Sequence, residues 1–341
     1  MNTIRILGSG AWGTALALLW SQDCGDGREA PRVELLARSD AEAELLRRSR
    51  SNDRRLPGVA IPETIAVHGA GESLHSLRAD DLLVVSIPTT ALDRAVSVGI
   101  VERAEGAPIV IASKGLTIDG MRPSQLLIEA GADPTRMAVL SGPNLAHEIA
   151  RGKPAAAVLA GTPGLVEELR TAVARPGFRI YATDDLPGVE LSGAIKNVIA
   201  IAVSGVRALG YGENAAAALL SRGVAEMARL VEACGGRTET ACGLAGVGDL
   251  VVTSSNTGSR NAKLGALLAS GLSVTEAVAQ IGATVEGIGT AHGALRLAAA
   301  HRLELPITAA VVAALDGGTT IDTLARALLG RSPAGEWRRA T

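Results

Sequence analysis

The stretch Ile6–Trp20, ILGSGAWGTALALLW, decides the fold. Gly8, Gly10 and Gly13 fall in the G-x-G-x-x-G spacing, directly after the β-branched run Thr3 to Leu7 and at the start of an apolar helical run. A nucleotide-binding turn of this kind needs one glycine for the sharp bend, a second where backbone approaches a pyrophosphate, and a third where helix meets strand. The helix N-terminus then offers unpaired N–H groups to the anion. A glycine-rich turn without a ligand shares the spacing, but strand before and helix after are the context a dinucleotide requires.

Outward from this turn, short β-branched runs alternate with helical ones. Strands are expected at Thr3 to Leu7, Val33 to Ala37, Leu82 to Ile87, Ile109 to Ala112, Ala138 to Leu140, Ala156 to Leu159 and Arg179 to Tyr181. That alternation predicts an α/β Rossmann-type N-terminal domain with a mostly parallel sheet covered on both faces. Beyond Pro187 the strand signal fades. Helices are expected at Val189 to Leu209, Asn214 to Cys234, Arg260 to Ala269, Val274 to Ile281, Ile288 to Ala300, Ile307 to Leu315 and Ile321 to Leu329, an all-α C-terminal domain. The expected division is residues 1–186 for the dinucleotide and 187–341 for substrate and catalysis, consistent with two domains in 341 residues. Cys24 to Pro31 (CGDGREAP) reads as a flexible loop.

Composition narrows the function. Hydrophobic residues are 47% and charged ones 20%, a folded globular balance. With 33 basic against 35 acidic side chains the net charge is −2, so no general cationic field is present to hold nucleic acid or an anionic membrane. Aromatics at 2%, with Phe178 the one phenylalanine, argue against base-stacking platforms. Cys24, Cys234 and Cys242 lack metal-ligand spacing and read as reduced thiols, and no metal site is expected. The opening MNTIRILGSG has no basic segment ahead of a long apolar one, and apolar runs such as Val198 to Val203 fall short of a membrane span, so a cytoplasmic location is expected. Lysine occurs at Lys114, Lys153, Lys196 and Lys263 alone, against 29 arginines among the 33 basic residues. A lysine retained under that bias points to a place where arginine cannot substitute.

Four groups of residues carry chemistry. Arg38, at the end of the second strand, stands where a carboxylate would select NAD. It suits a 2′-phosphate and favours NADP, or is a solvated arginine, with Asp40 close by in sequence. Lys114 in IVIASKGL lies past the carboxyl end of a buried strand, where open α/β sheets bind ligands. In SGPNLAHE, Gly142 and Pro143 set a second strand-end turn, and His147 beside Glu148 reads as a surface pair. Lys196, among Ile195, Val198, Ile199 and Ile201, belongs to a helix apolar enough to bury it. Burial lowers an ammonium pKa towards the range of proton transfer; Ser192 and Asn197 are its candidate partners. LAGVGDLVVT puts Asp249 on a glycine-flanked turn with Thr253 four residues on, and Ser259, Arg260 and Asn261 open a helix, either as a phosphate receptor or as a cap with a solvated arginine.

With these residues in place the chain resembles the soluble bacterial NAD(P)-dependent glycerol-3-phosphate dehydrogenases. The resemblance runs nearly the whole length through GSGAWGTALA, NDRRLPG (Asn52 to Gly58), SKGL, SGPNLAHE, ELSGAIKNVIAIAVSG, GENAAAALLSRGVAEM, AGVGDLVVT, SRN, TVEG (Thr284 to Gly287) and LPIT. It implies reduction of dihydroxyacetone phosphate to sn-glycerol 3-phosphate, a glycerophospholipid precursor, with NADP or NAD. It implies that Lys196 donates and accepts the proton, with Lys114 and Asp249 beside it. It further implies that Lys114, Gly142, Asn144, Lys196, Asn197, Asp249, Ser259, Arg260 and Asn261 line the substrate site. Gly8, Gly10, Ala11, Trp12, Gly13, Arg38, Lys114, Ala146, Arg260, Thr284 and Glu286 would touch the cofactor. Asn144, where many relatives carry a hydroxyl, and Thr284, where they carry an aliphatic side chain, depart from the family pattern. A homodimer is left open. The other readings are a related two-domain β-hydroxyacid-type dehydrogenase and a non-catalytic dinucleotide sensor, the latter disfavoured by two retained lysines it would not need.

Overall fold

A computed structural model describes residues 1–330 apart from 25, 26, 28, 71, 73, 74 and 105; part of the loop expected at Cys24 to Pro31 and the chain after residue 330 lie outside the described residues. Ten strands form: β1 Thr3–Leu7, β2 Arg32–Leu36, β3 Ser51–Asn52, β4 Leu56–Ala60, β5 Ile65–His68, β6 Leu82–Val85, β7 Ile109–Ile111, β8 Met137–Ser141, β9 Ala155–Gly161 and β10 Phe178–Thr183. Eight of them make one sheet in the order β10-β9-β8-β7-β6-β1-β2-β5. All neighbours are parallel except β8 and β9. From β5 to β8 this is the doubly wound order, which reverses direction between β1 and β6. Ligands bind such sheets outside the carboxyl ends of the strands at that reversal.

The central strands are apolar on both faces because helices cover both. Every residue of β6 and β8 is buried. One ionic exception is Arg5 opposite Glu34 on β1 and β2, paired at 2.8 Å with Arg5 only 2% exposed. All seven expected strands occur, with ends shifted by one or two residues. The strand expected at Leu82 to Ile87 stops at Val85, since Ser86 turns to meet Gly8. The edge strand β5 and the β3–β4 hairpin were not expected; the hairpin folds from NDRRLPG.

The second half is helical, as the pattern predicts. Its axis is the 23-residue helix Leu186–Ala208, opened by Asp185, whose carboxylate accepts from Gly188 N at 2.9 Å. That helix is long and apolar enough to cross a membrane, longer than the run counted from sequence, yet its apolar window is fully buried by the helices around it. These are Gly212–Ala233, Arg260–Ala269, Glu286–Ala300, Pro306–Leu315 and Ile321–Leu329. The tightest approach is at Gly265, where a Cβ would stand 2.1 Å from Ile201 O, so the backbones of Arg260–Ala269 and of the axial helix touch. Asp249 is a correction. It begins the helix Asp249–Ser255, reached through one π-helical turn, Leu244–Gly248, instead of lying on an open turn. The glycines permit close packing there, with a Cβ on Gly246 only 1.9 Å from Ala241 O.

Candidate functional site

The first strand-to-helix turn is built as its spacing requires. Gly8 has φ +114°, and a Cβ there would meet Ser86 O at 2.7 Å. A Cβ on Gly13 would be 1.9 Å from Gly8 O, so the helix Ala11–Trp20 sits directly on the turn. Around Gly10 the space is open to 4 Å, at a helix N-terminus whose first turn carries no acidic residue and no side-chain cap. Trp12 Nε1 beside it is buried without a partner. An open cradle, free amides and an orphaned donor at the reversal of the sheet fit a dinucleotide.

Arg38 lies just beyond β2 with its side chain 68% exposed, and Glu42 holds its Nε at 2.8 Å. Glu42 also accepts from Ser9 Oγ at 3.1 Å. The carboxylate that tempers Arg38 is therefore Glu42, four residues on; Asp40 instead packs against Gly69.

The chemical centre is a carboxylate between two ammoniums. Asp249, 4% exposed, places Oδ2 2.8 Å from Lys114 Nζ and Oδ1 3.1 Å from Lys196 Nζ. Lys114, on the loop after β7, also donates to Gly142 O at 2.9 Å and stands 6.0 Å from the Trp12 ring centre, so it joins this centre to the dinucleotide crevice. Lys196 donates to Thr253 Oγ1 at 2.7 Å, and Thr253 in turn donates to Asp249 Oδ1 at 3.2 Å. Burial brings the Lys196 ammonium down to about 8, with Asp249 opposing that fall and Lys114 adding to it. Burial alone would raise the Asp249 carboxyl, but the two ammoniums outweigh it and hold the group below the usual carboxylate range.

The partners expected for Lys196 are corrected. Ser192 Oγ is buried without a partner, and Asn197 points elsewhere. Asn197 Nδ2 donates to Lys114 O at 2.9 Å, its Oδ1 accepts from Asn261 Nδ2 at 2.8 Å, and Asn261 Oδ1 accepts from Gly287 N at 3.0 Å. This chain of carboxamides ties four segments together around the lysines. Sequence reading noted the spacing of Thr253 from Asp249, one helical turn, but not its place between Asp249 and Lys196.

At the helix Arg260–Ala269, Ser259 is the cap, accepting from Ala262 N at 3.3 Å, and Arg260 Nη1 donates to Thr284 O at 2.6 Å. Glu286 crosses to the sheet half, accepting from Thr89 N at 3.0 Å. Burial pushes its carboxyl up to about 7 against the pull of that amide and of Arg260. Asn144 donates to Ala156 O at 2.9 Å while its Oδ1 is buried unpaired, and Ala146 opens the short helix Ala146–Ile149. His147 is exposed, and the ion-pair partner of Glu148 is Lys153 at 2.8 Å, which replaces the expected pair with His147.

Comparison with known proteins agrees with this geometry. Residues 3–164 match the family described as NAD-dependent glycerol-3-phosphate dehydrogenase N-terminus, and residues 185–326 match its C-terminus. A glycerol-3-phosphate dehydrogenase [NAD(P)+] of Aromatoleum aromaticum is 41% identical over 310 residues, covering 90% of this chain and 92% of the relative. One from Delftia acidovorans is also 41% identical, over 98% of this chain and 100% of the relative. The crystal structure of glycerol-3-phosphate dehydrogenase from Coxiella burnetii superposes with a TM-score of 0.86 at 34% identity, covering 97% of this chain and 99% of that one. A D-mandelate dehydrogenase shares the fold alone, at 11% identity and a TM-score of 0.63.

Proposed function

We propose a residue-level account of one reaction, because the chain belongs to the NAD-dependent glycerol-3-phosphate dehydrogenase family: NAD(P)H-dependent reduction of dihydroxyacetone phosphate to sn-glycerol 3-phosphate. The observation that carries the account is the convergence of Lys114 and Lys196 on Asp249 at the mouth of the dinucleotide crevice. A bound reduced nicotinamide supplies the hydride. Reduction of the C2 carbonyl carbon leaves negative charge on its oxygen, and Lys196 Nζ gives that oxygen a proton. Lys114 adds positive charge nearby and keeps its own proton. Asp249 and Thr253 aim the Lys196 ammonium, while Arg260, Asn261 and the free amides of their helix receive the phosphate. Gly142 and Asn144 line the same cavity, and Ala11, Trp12, Ala146, Thr284 and Glu286 border the cofactor. Residues 1–186 form the cofactor half and 187–341 the substrate half in this account, supported by the last strand ending at Thr183 and the axial helix starting at Leu186. Family membership supports a cytoplasmic role in supplying glycerophospholipid synthesis. Loss of nicotinamide absorbance on adding dihydroxyacetone phosphate, run with each cofactor, tests the reaction; no loss with either would end it.

NADPH is the favoured cofactor, because Arg38 is exposed at the end of β2 with only Glu42 to hold it. Arg38→Asp should lower the ratio of NADPH to NADH kcat/KM by at least about tenfold, since a phosphate partner is lost and a repulsive charge gained. An unchanged ratio would show that Arg38 does not read the 2′ position.

The reaction should also carry the pKa of Lys196. Reduction uses the protonated amine, so its kcat/KM should be level at low pH and decline as pH rises past about 8. Oxidation of glycerol 3-phosphate uses the neutral amine and should rise through the same region. Profiles measured in both directions check the sign; parallel profiles would remove Lys196 from the proton transfer.

A further inference from the structure

The β3–β4 hairpin brings a guanidinium to the crevice that no carboxylate answers. Asn52, 5% exposed, bolts the hairpin to the first strand-to-helix turn, donating to Ser9 O at 2.9 Å and to Thr14 Oγ1 at 2.8 Å. Asp53 closes the loop by accepting from Ser51 Oγ at 2.8 Å and Gly58 N at 3.2 Å. Within it Arg55 N donates to Asn52 O at 2.9 Å, and the next residue, Leu56, is 2% exposed. Arg55 is thus fixed at its backbone on both sides. Its side chain is half-buried, and among the described residues it has no ion-pair partner.

The charge near Arg55 is another cation, Arg260. Arg260 is open to solvent but sits in a concave surround. Burial lowers its pKa, Glu286 opposes that, and the like charge of Arg55 adds to it. Two guanidiniums approaching from opposite halves of the molecule repel unless an anion lies between them. Counting the whole cavity, Arg55, Arg260, Lys114 and Lys196 face only the carboxylates of Asp249 and Glu286. The excess of two positive charges matches a phosphate monoester dianion.

We propose that Arg55 is the second arm of a phosphate clamp, closing from the hairpin on the phosphate that Arg260 holds from the helical half. The inference rests on reading the cavity as a site for a phosphorylated carbonyl substrate. The same chemistry is offered by a phosphate of the nucleotide, and the experiment separates the two sources.

Three measurements on the full chain and on Arg55→Ala decide it. Inorganic phosphate, titrated calorimetrically into the cofactor-free protein, should bind at least about tenfold more weakly to Arg55→Ala and also to Arg260→Ala, the scale of one lost charge-assisted contact. In turnover, kcat/KM for dihydroxyacetone phosphate should fall at least about tenfold, while unphosphorylated dihydroxyacetone changes less than about twofold. NADPH affinity by fluorescence should hold; a fall there with the substrate terms unchanged keeps the clamp but assigns the phosphate to the nucleotide. Equal phosphate binding by wild type and Arg55→Ala overturns the clamp, as does an equal loss with both substrates. If the wild type failed to reduce dihydroxyacetone phosphate while phosphate binding still depended on both arginines, the clamp would stand and the substrate reading would fall. Arg55→Lys, which keeps the charge and loses the fork, should lie between the two.

Discussion

Lys196→Arg should lower kcat for dihydroxyacetone phosphate reduction at least about 100-fold, the scale of general acid–base catalysis. The substitution keeps the positive charge next to Asp249 and roughly keeps the volume, but a guanidinium does not release a proton near neutral pH. Lys196 can, because burial has brought its ammonium down to about 8. NADPH binding followed by fluorescence should be little changed, since Lys196 contacts Thr253 and Asp249 and not the glycine turn. The wider guanidinium must fit where Lys196 is 6% exposed, so circular dichroism accompanies the assay and Lys196→Met serves as a second variant without a charge. A variant with more than about a tenth of wild-type kcat would make Lys196 an electrostatic residue only. The proton would then come from Lys114 or from water.

Asp249→Asn is the second large effect, and it acts on both lysines together. The buried carboxylate is the one anion in contact with Lys114 and Lys196. Removing one member of a buried ionic cluster leaves the others uncompensated, and truncating one side of such a contact costs about 2 to 5 kcal/mol. The expected loss in kcat/KM is therefore on the order of 100-fold or more. Loss of Asp249 also removes the attraction that opposes desolvation of Lys196, so the decline in reduction now placed near pH 8 should move to lower pH. The thermal midpoint should fall as well. A variant whose pH profile matched the wild type would show that Asp249 does not govern the lysine.

Much of this fold was legible because its patterns are local. The β1 strand, the glycine spacing and the helix Arg260–Ala269 follow from short-range periodicity and capping, and they fall where the residues predict. The edge strand β5 escaped notice: IAVH is four residues long, too short to show alternation, and it exists because β2 offers it a partner. The site was legible in its members and not in its pairings. Lys114 and Asp249 stand 135 positions apart, and only the closure of the helical half on the sheet brings them within 2.8 Å. For the same reason Asn197, adjacent to Lys196 in sequence, was assigned to it, although neighbours along a helix point to different sides and Asn197 faces Lys114 instead. Glu42 and Thr253 were each one helical turn from a residue already singled out, a spacing that puts side chains on one face and carried the missing information.

The contact at Gly265 sets a limit on what the cavity can accept. Arg260 and Lys196 ride on helices whose backbones touch there, and Asn261 is fastened to both Asn197 and Gly287, so the two cations cannot shift relative to one another without opening the core. In the proposed roles, the pair therefore works as a fixed gauge between phosphate and carbonyl. A sugar phosphate with one more carbon between those groups would carry its carbonyl past the ammonium, and a misplacement of about 1 Å is enough to cost two orders of magnitude in rate. Selection among phosphorylated ketones would then be made by length, with no side chain needed to recognise the middle of the molecule.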